Sequence, residues 1–292
     1  MVFLDEQMVS KIPPKFGHYA LPAKREALRR RADKFAGSRI GRLGISLYRK
    51  QAFKGLSDPF DVQVMPGVNA RLYPRSNRCE KRAFAGIQIW DAEERAALAA
   101  ALDTSRIAPF VFLDVGANIG LYSLILAAHA KQTHKDIRIL AFEPDPTNRA
   151  RLAFNIKASD ANIQVLPYAV SDEDGEGFMG GGTTNRGEVR LQDNNVEDID
   201  DEDGQPVQIK TLYGVCEEQG LSRIDAMKVD IEGHDERALG AFFDHAPKTL
   251  WPLLLILETG RDETTSLLEL CTKHGYTITK RTGINSILML DI

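Results

Sequence analysis

Apolar residues in the second half of the chain fall into short runs, and longer segments with helical periodicity separate these runs. Runs rich in β-branched and aromatic residues predict buried strands at 111–115, 137–143, 163–167, 225–231 and 253–258. Strands that alternate with helices in this way predict an α/β fold with a parallel sheet covered by helices. Two last strands are predicted at 276–280 and 286–291.

Residues 1–80 follow a different pattern, which predicts an N-terminal extension of helices and a β-hairpin ahead of a domain at 81–292. The segment 24–54 holds eleven Lys and Arg residues against two acids, with a loose helical stripe of apolar positions. It predicts one or two amphipathic helices. Their basic face is either solvated or a docking surface for an anionic carrier, a membrane surface or an acidic partner. Alternation around Pro66-Gly67 predicts the hairpin.

The residues that join the hairpin to the first strand of the sheet carry a helix-start signal. Asp91 followed by Glu94 predicts a capping box at the start of a helix over 92–102. Arg78, Cys79 and Trp90 could reach the mouth of the substrate site, but surface or packing roles are expected for each.

A glycine turn follows the first predicted strand of the sheet. The dinucleotide-binding pattern would need glycine at 118 and 121, where the chain has Asn118 and Leu121, and the phosphate-binding loop would need lysine at 121. Asp114 stands just before Gly116, and a carboxylate there suits a ligand that carries an amino group or a sulfonium. The turn therefore fits S-adenosylmethionine better than NAD. We expect Gly116→Val to abolish cofactor binding without unfolding the chain, because the side chain would fill the cofactor's space.

The second predicted strand ends in an acid about twenty residues after the turn. Glu143 is placed to accept hydrogen bonds from ribose hydroxyls, and Pro144 stops the strand. Asp145 with Pro146 predicts an N-cap followed by proline at the first helical position. Because NAD also offers a ribose, an NAD-binding Rossmann enzyme stays as an alternative.

Six short blocks of the chain, taken together, resemble FkbM-type S-adenosylmethionine-dependent methyltransferases over roughly residues 80 to 292. The blocks lie at 114–120, 142–146, 155–156, 169–175, 228–233 and 257–258. The family pattern usually has Leu-Asp where this chain has Leu212-Tyr213, and glutamate where it has Asp235.

The resemblance implies a class I methyltransferase fold, Rossmann-like, with a mostly parallel sheet and an antiparallel last strand. It also implies O-methyl transfer from S-adenosylmethionine to a hydroxyl of a sugar or a natural-product-like small molecule. The cofactor-binding residues that it implies are Asp114, Gly116, Ala117, Asn118, Glu143, Pro144, Ala169 and Asp230. An inactive fold used as a binding module would be expected to lack Glu143 or the glycines, and both are present.

Candidate catalytic residues cluster around the strand at 225–231. Lys228, Asp230 and Glu232 alternate, which predicts one face near the strand's carboxyl end, and His234 follows the next turn. An alcohol needs a general base, for which we rank His234, then Asp230, then Glu232. The alternatives are an interior Lys228–Asp230 pair, a helix cap at Glu232 and a surface position for His234. Two acids and an imidazole also suit a divalent metal, but the spacing requires none and no metal is expected.

A long glycine-rich and acidic insertion separates two of the predicted strands. Residues 171–203 hold twelve acids against two arginines, and a glycine triplet lies at 180–182. The segment 169–210 predicts a long loop, part of which closes over the site. The acidic run at 197–203 lacks the spacing of a calcium loop.

Composition narrows the classes of partner. A net charge of −4 argues against nucleic acid, and three scattered cysteines predict reduced thiols. The chain has neither a signal-peptide pattern nor an apolar run of membrane-spanning length, which predicts a cytoplasmic protein. The expected partner is a small-molecule or glycan hydroxyl acceptor.

Overall fold

The computed structural model describes residues 13–180, 205–231, 233–260 and 265–291, and the backbone of 190–192. The helices of this part are α1 (Ala23–Ala32), α2 (Arg39–Phe53), α3 (Arg78–Phe84), α4 (Ala92–Thr104), α5 (Leu121–Thr133), α6 (Pro146–Ser159), α7 (Leu212–Glu218), α8 (Asp235–His245) and α9 (Ser266–Lys273). The strands are β1 (Phe60–Met65), β2 (Val68–Leu72), β3 (Phe110–Val115), β4 (Ile137–Phe142), β5 (Gln164–Leu166), β6 (Tyr168–Ser171), β7 (Gly175–Gly180), β8 (Arg190–Gln192), β9 (Gln205–Thr211), β10 (Ala226–Val229), β11 (Leu254–Glu258), β12 (Tyr276–Thr282) and β13 (Asn285–Leu290). None of these helices is long and apolar enough to cross a membrane.

The central sheet has the strand order β12-β13-β11-β10-β3-β4-β5. The five strands from β11 to β5 run parallel, and β13 runs antiparallel to both of its neighbours. The predicted mostly parallel sheet with an antiparallel last strand is confirmed. The strand predicted at 225–231 is shorter, however, since β10 ends at Val229.

Both faces of the sheet are covered, which explains why the strands are continuous apolar runs rather than alternating ones. Every residue of β3 is buried. Phe110 and Phe112 pack into a cluster that includes Phe84 of α3, whereas Val111 and Leu113 face a second cluster with α7, α8 and α9. The N-terminal extension therefore shares a core with the sheet. The domain boundary predicted between 80 and 81 falls inside α3 and stays a prediction.

The predicted N-terminal helices and hairpin are present, and α6 holds the hairpin in place. Asn155 of α6 accepts a hydrogen bond from the backbone N–H of Arg71 at 2.8 Å and donates to the carbonyl of Ile119 at 3.3 Å. One amide thus joins β2 to the loop before α5. Arg71 is itself buried in an ion pair with Asp61, with 2.7 Å between Nε and Oδ1.

A buried ion pair fixes α3 to α6. Glu80 is completely buried, and its carboxylate pairs with the guanidinium of Arg151 and accepts the backbone N–H of Tyr73. The Arg151 guanidinium lies 3.9 Å from the centre of the Tyr73 ring. The Glu80 side chain is fully enclosed and that of Arg151 is only 13% exposed, so either charge is poorly solvated if the other is removed.

The prediction of a long loop over 169–210 is wrong in part. β6, β9, β7 and β8 form a second sheet in that order, and Ala169, Met179 and Val207 form its small apolar cluster. β9 pairs with β6 and β7 across 26 to 40 residues of sequence, so the acidic and glycine-rich local sequence does not reveal this sheet. The residues 181–182 of the glycine triplet and the acidic run at 197–203 lie outside the described residues.

The capping box predicted at Asp91 is also wrong. Asp91 has a left-handed backbone (φ 42°) and its side chain does not cap α4. Its carboxylate instead accepts the hydroxyl of Tyr122 at 2.9 Å, and Glu94 accepts the side-chain amide of Asn285 at 2.8 Å. Both carboxylates therefore accept hydrogen bonds from side chains outside α4.

Glu80→Ala should destabilise the fold by about 3–5 kcal/mol, because it leaves the Arg151 charge buried and unpaired. Urea unfolding followed by tryptophan fluorescence measures the change. Lys131→Ala is the control, since it breaks the exposed pair with Asp160 and should leave the midpoint where it is. Equal midpoints for Glu80→Ala and wild type would contradict the clamping role of the buried pair.

Candidate active site

A cavity of about 290 Å³ lies at the carboxyl ends of the central strands. Its walls come from the turn after β3, the end of β4 and the end of β10, with α3 and β6 at the sides. Parallel α/β sheets bind their ligands at this edge.

The turn after β3 needs glycine at its first position. Gly116 has φ +81°, and a Cβ there would lie 1.9 Å from the carbonyl oxygen of Asp230. The expectation that Gly116→Val spares the fold is therefore wrong, because the side chain would meet backbone before it met any ligand. The carbonyl of Gly116 accepts a hydrogen bond from Lys228 Nζ at 3.2 Å, which ties the turn to β10.

Glu143 lies just beyond β4 and closes the other side of the turn. Its Oε2 accepts the backbone N–H of Asn118 at 2.6 Å, and its Oε1 accepts that of Asp145 at 2.9 Å. Burial raises the pKa of Glu143 to about 8, and these two N–H donors offset only part of that effect. As predicted, Asp145 caps α6, accepting the N–H of Asn148 at 2.7 Å.

The start of α3 is bonded directly to the turn. Asn77 caps α3 through its Oδ1, which accepts the N–H of Cys79 at 2.8 Å. Its Nδ2 donates to the side-chain oxygen of Asn118 at 3.0 Å. The cavity wall includes Arg78 and Cys79 of α3, and also Trp90. Surface or packing roles were expected for all three. Trp90 also packs, since its ring centre lies 5.1 Å from that of Tyr122.

Asp114 lies beneath the turn and does not line the cavity. Its Oδ2 accepts both the N–H (3.2 Å) and the hydroxyl (2.6 Å) of Ser123 in α5. Its Oδ1 has no hydrogen-bond partner in the described part of the chain. Asp114 thus joins β3 to α5, and a direct contact with the cofactor stays a prediction.

Lys228 and Asp230 form the interior pair that was one of the alternatives, and both also line the cavity. Lys228 Nζ lies 3.1 Å from Asp230 Oδ2. Burial alone would raise the pKa of Asp230, but the Lys228 ammonium holds it below its ordinary value. Asp230 also shares a hydrogen bond with the carboxyl group of Glu258, on the neighbouring strand β11.

His234 is buried rather than exposed, and it lines the cavity just before α8. Its Nδ1 lies 3.4 Å from the hydroxyl oxygen of Ser171. Glu232 lies outside the described residues, and because β10 ends at Val229 the alternation of Lys228, Asp230 and Glu232 does not follow from strand geometry. Within the described ranges no group of three or more His, Cys, Asp or Glu could hold a metal ion.

A family model, the Methyltransferase FkbM domain, matches residues 114–278, more than half of the chain. The chain belongs to this family. It is an S-adenosylmethionine-dependent methyltransferase, as predicted, and the NAD-binding alternative is set aside.

Three relatives of this methyltransferase match more than half of its chain. It is 30% identical over 207 residues to the methyltransferase sdnD of Sordaria araneosa, covering 59% of this chain and 75% of the relative. It is 28% identical over 197 residues to the 31-O-demethyl-FK506 methyltransferase FkbM of Streptomyces tacrolimicus, covering 58% and 73%. It is 29% identical over 208 residues to the AMB antimetabolite synthetase AmbE of Pseudomonas aeruginosa, covering 59% of this chain but only 10% of the synthetase.

A solved structure gives a more distant likeness. The SAM-dependent methyltransferase from Agrobacterium tumefaciens has a TM-score of 0.44 and 14% identity, covering 80% of this chain and 70% of its own. A likeness this distant carries no functional inference, and the fold assignment rests on the strand order and the family.

The cavity suits S-adenosylmethionine on three observations. The backbone of Gly116 forms part of the cavity wall, Glu143 lines the cavity with a buried carboxylate, and Asp230 keeps a negative charge. When bound, this cofactor supplies a methyl group activated on a cationic sulfur. The predicted cofactor residues that line the cavity are Gly116, Ala117, Asn118, Glu143, Pro144, Ala169 and Asp230.

Other cavity residues were missed from the sequence. Asp91, Tyr122, Tyr168, Met179 and Asn285 line the cavity as well. Met179 comes from the second sheet and Asn285 from the antiparallel strand, and no local pattern relates either one to the glycine turn. Asp91 did carry a signal, an acid before a helix, but it was interpreted as a cap.

Binding of 5′-methylthioadenosine should tighten by about tenfold per pH unit up to about pH 8 and then level off. We expect the ribose hydroxyls to donate to ionised Glu143, whose pKa is about 8. This ligand is chosen because it has no amino acid end that titrates in the same range. Calorimetry between pH 6 and 9 measures the affinity.

Glu143→Gln is the control, because it cannot ionise. It should bind the same ligand weakly and without pH dependence. Wild-type affinity that is flat over this range would remove Glu143 from the ribose contact.

Proposed function

We propose that this methyltransferase transfers the methyl group to a hydroxyl oxygen of a sugar or a natural-product-like small molecule. The observation that carries the proposal is a buried imidazole, His234, which lines the same cavity as the ionised Asp230. A hydroxyl oxygen loses its proton as the new bond forms, so the reaction needs a base beside the cofactor.

The hydrogen bonds of Ser171 favour His234 as that base. The Ser171 hydroxyl donates to Asp172 Oδ1 at 2.8 Å, so its oxygen is left to accept from His234 Nδ1. In the tautomer that donates from Nδ1, the lone pair that can accept a proton lies on Nε2.

Asp230 suits a different role. The Lys228 ammonium lowers the pKa of Asp230, and a carboxylate that holds its proton weakly is a poor general base near neutral pH. Its negative charge instead favours a cation, either the sulfonium or the amino group of the cofactor. We therefore assign cofactor binding to Asp230 and proton removal to His234.

The name of one relative agrees with an oxygen acceptor. The Streptomyces tacrolimicus relative is named as a 31-O-demethyl-FK506 methyltransferase. For the present chain the acceptor class follows only by analogy, so the experiment begins from a panel of glycosides and hydroxylated natural products.

His234→Ala should lower turnover by about two to four powers of ten and leave the affinity for S-adenosylhomocysteine nearly unchanged. Asp230→Asn should lower turnover and also weaken the affinity for S-adenosylhomocysteine, since it removes the negative charge beside the cofactor. Release of S-adenosylhomocysteine measures turnover, and calorimetry measures affinity.

His245→Ala is the matched control, because His245 is an exposed histidine at the end of α8 and should leave turnover unchanged. Full activity of His234→Ala with an inactive Asp230→Asn would move the base role to the aspartate. Full activity of both would place the chemistry away from β10. An absence of methyl transfer to any hydroxyl in the panel, with cofactor bound, would contradict the acceptor class.

A further inference from the structure

Helix α2 presents an apolar stripe to solvent. Ile40, Leu43 and Leu47 are 81%, 68% and 55% exposed, among the highest values for large apolar residues in the described part of the chain. At 3.6 residues per turn these three side chains fall within about 60° around the helix axis. They form one continuous strip on the side opposite to buried Ile45.

Cations share that side of the helix. Arg39 and Lys50 fall within the same sector of about 100° as the apolar strip, and Lys54 follows directly after the helix end. All three are exposed, and α2 contains no acid. We call this set the α2 face: Arg39, Ile40, Leu43, Leu47, Lys50 and Lys54.

The two acids of the surrounding segment do not offset this charge at the surface. Glu26 is held by Arg29 and Arg30, each at 2.8 Å. Asp33 pairs with buried Arg29 at 3.2 Å and accepts the backbone N–H of Gly86 at 2.8 Å. Both carboxylates are used inside the fold. Besides Arg30, which pairs with Glu26, the other exposed cations of the segment 24–54 are Lys24, Arg31, Lys34 and Arg42.

We propose that the α2 face docks this methyltransferase on the surface of an anionic lipid bilayer. An amphipathic helix with apolar residues flanked by Lys and Arg lies in the headgroup layer, where the apolar side chains are buried and the cations meet anionic lipids. The high exposure of Ile40 and Leu43 favours lipid over a protein partner. Side chains that stand clear of their neighbours enter a fluid layer at any position, whereas a protein would need a matching groove.

The docking is independent of the acceptor and of the catalytic residues, so it is tested by binding alone. The full chain is sedimented with sucrose-loaded vesicles of phosphatidylcholine, with and without phosphatidylglycerol. It should bind the vesicles that contain phosphatidylglycerol and be released by salt, because the attraction of the cations is screened.

Two variants separate the apolar from the charged contribution. The combined Ile40→Ser, Leu43→Ser and Leu47→Ser variant and the combined Arg39→Glu and Lys50→Glu variant should each lose roughly tenfold or more in vesicle affinity. The changed side chains are exposed, so folding should be intact, which S-adenosylhomocysteine binding verifies. Ile107→Ser and Lys157→Glu are the controls, since they change an exposed apolar residue and an exposed cation elsewhere.

Three results would overturn the proposal. Wild type could fail to bind the phosphatidylglycerol vesicles, or the α2 variants could bind them as well as the controls do. Light scattering could instead show that wild type is a dimer and that the serine variant is a monomer, with no vesicle binding by either. The α2 face would then be an interface between two copies of this chain.

Discussion

The close contact between the backbones of Gly116 and Asp230 determines the rest of the site. Because β3 and β10 run parallel and in register, both chains turn at the same level, and the Gly116 position has no room for a side chain. Lys228 bonds to the carbonyl of Gly116 and to the carboxylate of Asp230, so one ammonium fixes both turns. Glu143 then holds the far side of the glycine turn through Asn118. The cavity is shaped by these bonds before any ligand enters.

The N-terminal extension supplies part of the wall of this cavity. Asn77 reaches Asn118, and the helix that it caps carries Arg78 and Cys79 to the cavity wall. The Glu80–Arg151 pair holds α3 against α6, and the Asn155 amide holds β2 against the same helix. A substitution in the extension can therefore change the site without touching the methyltransferase blocks of the sequence.

Local patterns were sufficient for most of the fold and for most of the residues that line the cavity around the glycine turn. The strands around the turn are continuous apolar runs, and Glu143 and Asp145 are positioned by strand and helix ends, which short segments encode.

The predictions that failed involve long-range contacts. Met179 lines the cavity because it lies in a sheet whose strands pair across an acidic insertion. The Asp91 carboxylate does not cap α4 because it accepts a hydrogen bond from the Tyr122 hydroxyl instead. Asp114 shows a further limit, since its sequence position places it near the turn but does not say which side of the backbone its carboxylate occupies.

Two carboxylates of the cavity have opposite electrostatic surroundings, and we expect this difference to orient the ligand. Glu143 is enclosed and held mainly by backbone N–H groups, so its pKa rises to about 8, and it favours neutral hydroxyl donors. Asp230 lies beside the Lys228 ammonium, so its pKa falls and it stays charged. A ligand with hydroxyls at one end and a cation at the other is stabilised in one orientation and disfavoured in the reverse one. We therefore expect the cationic end of the cofactor to lie toward β10, where His234 lines the cavity, so that binding sets part of the geometry needed for methyl transfer.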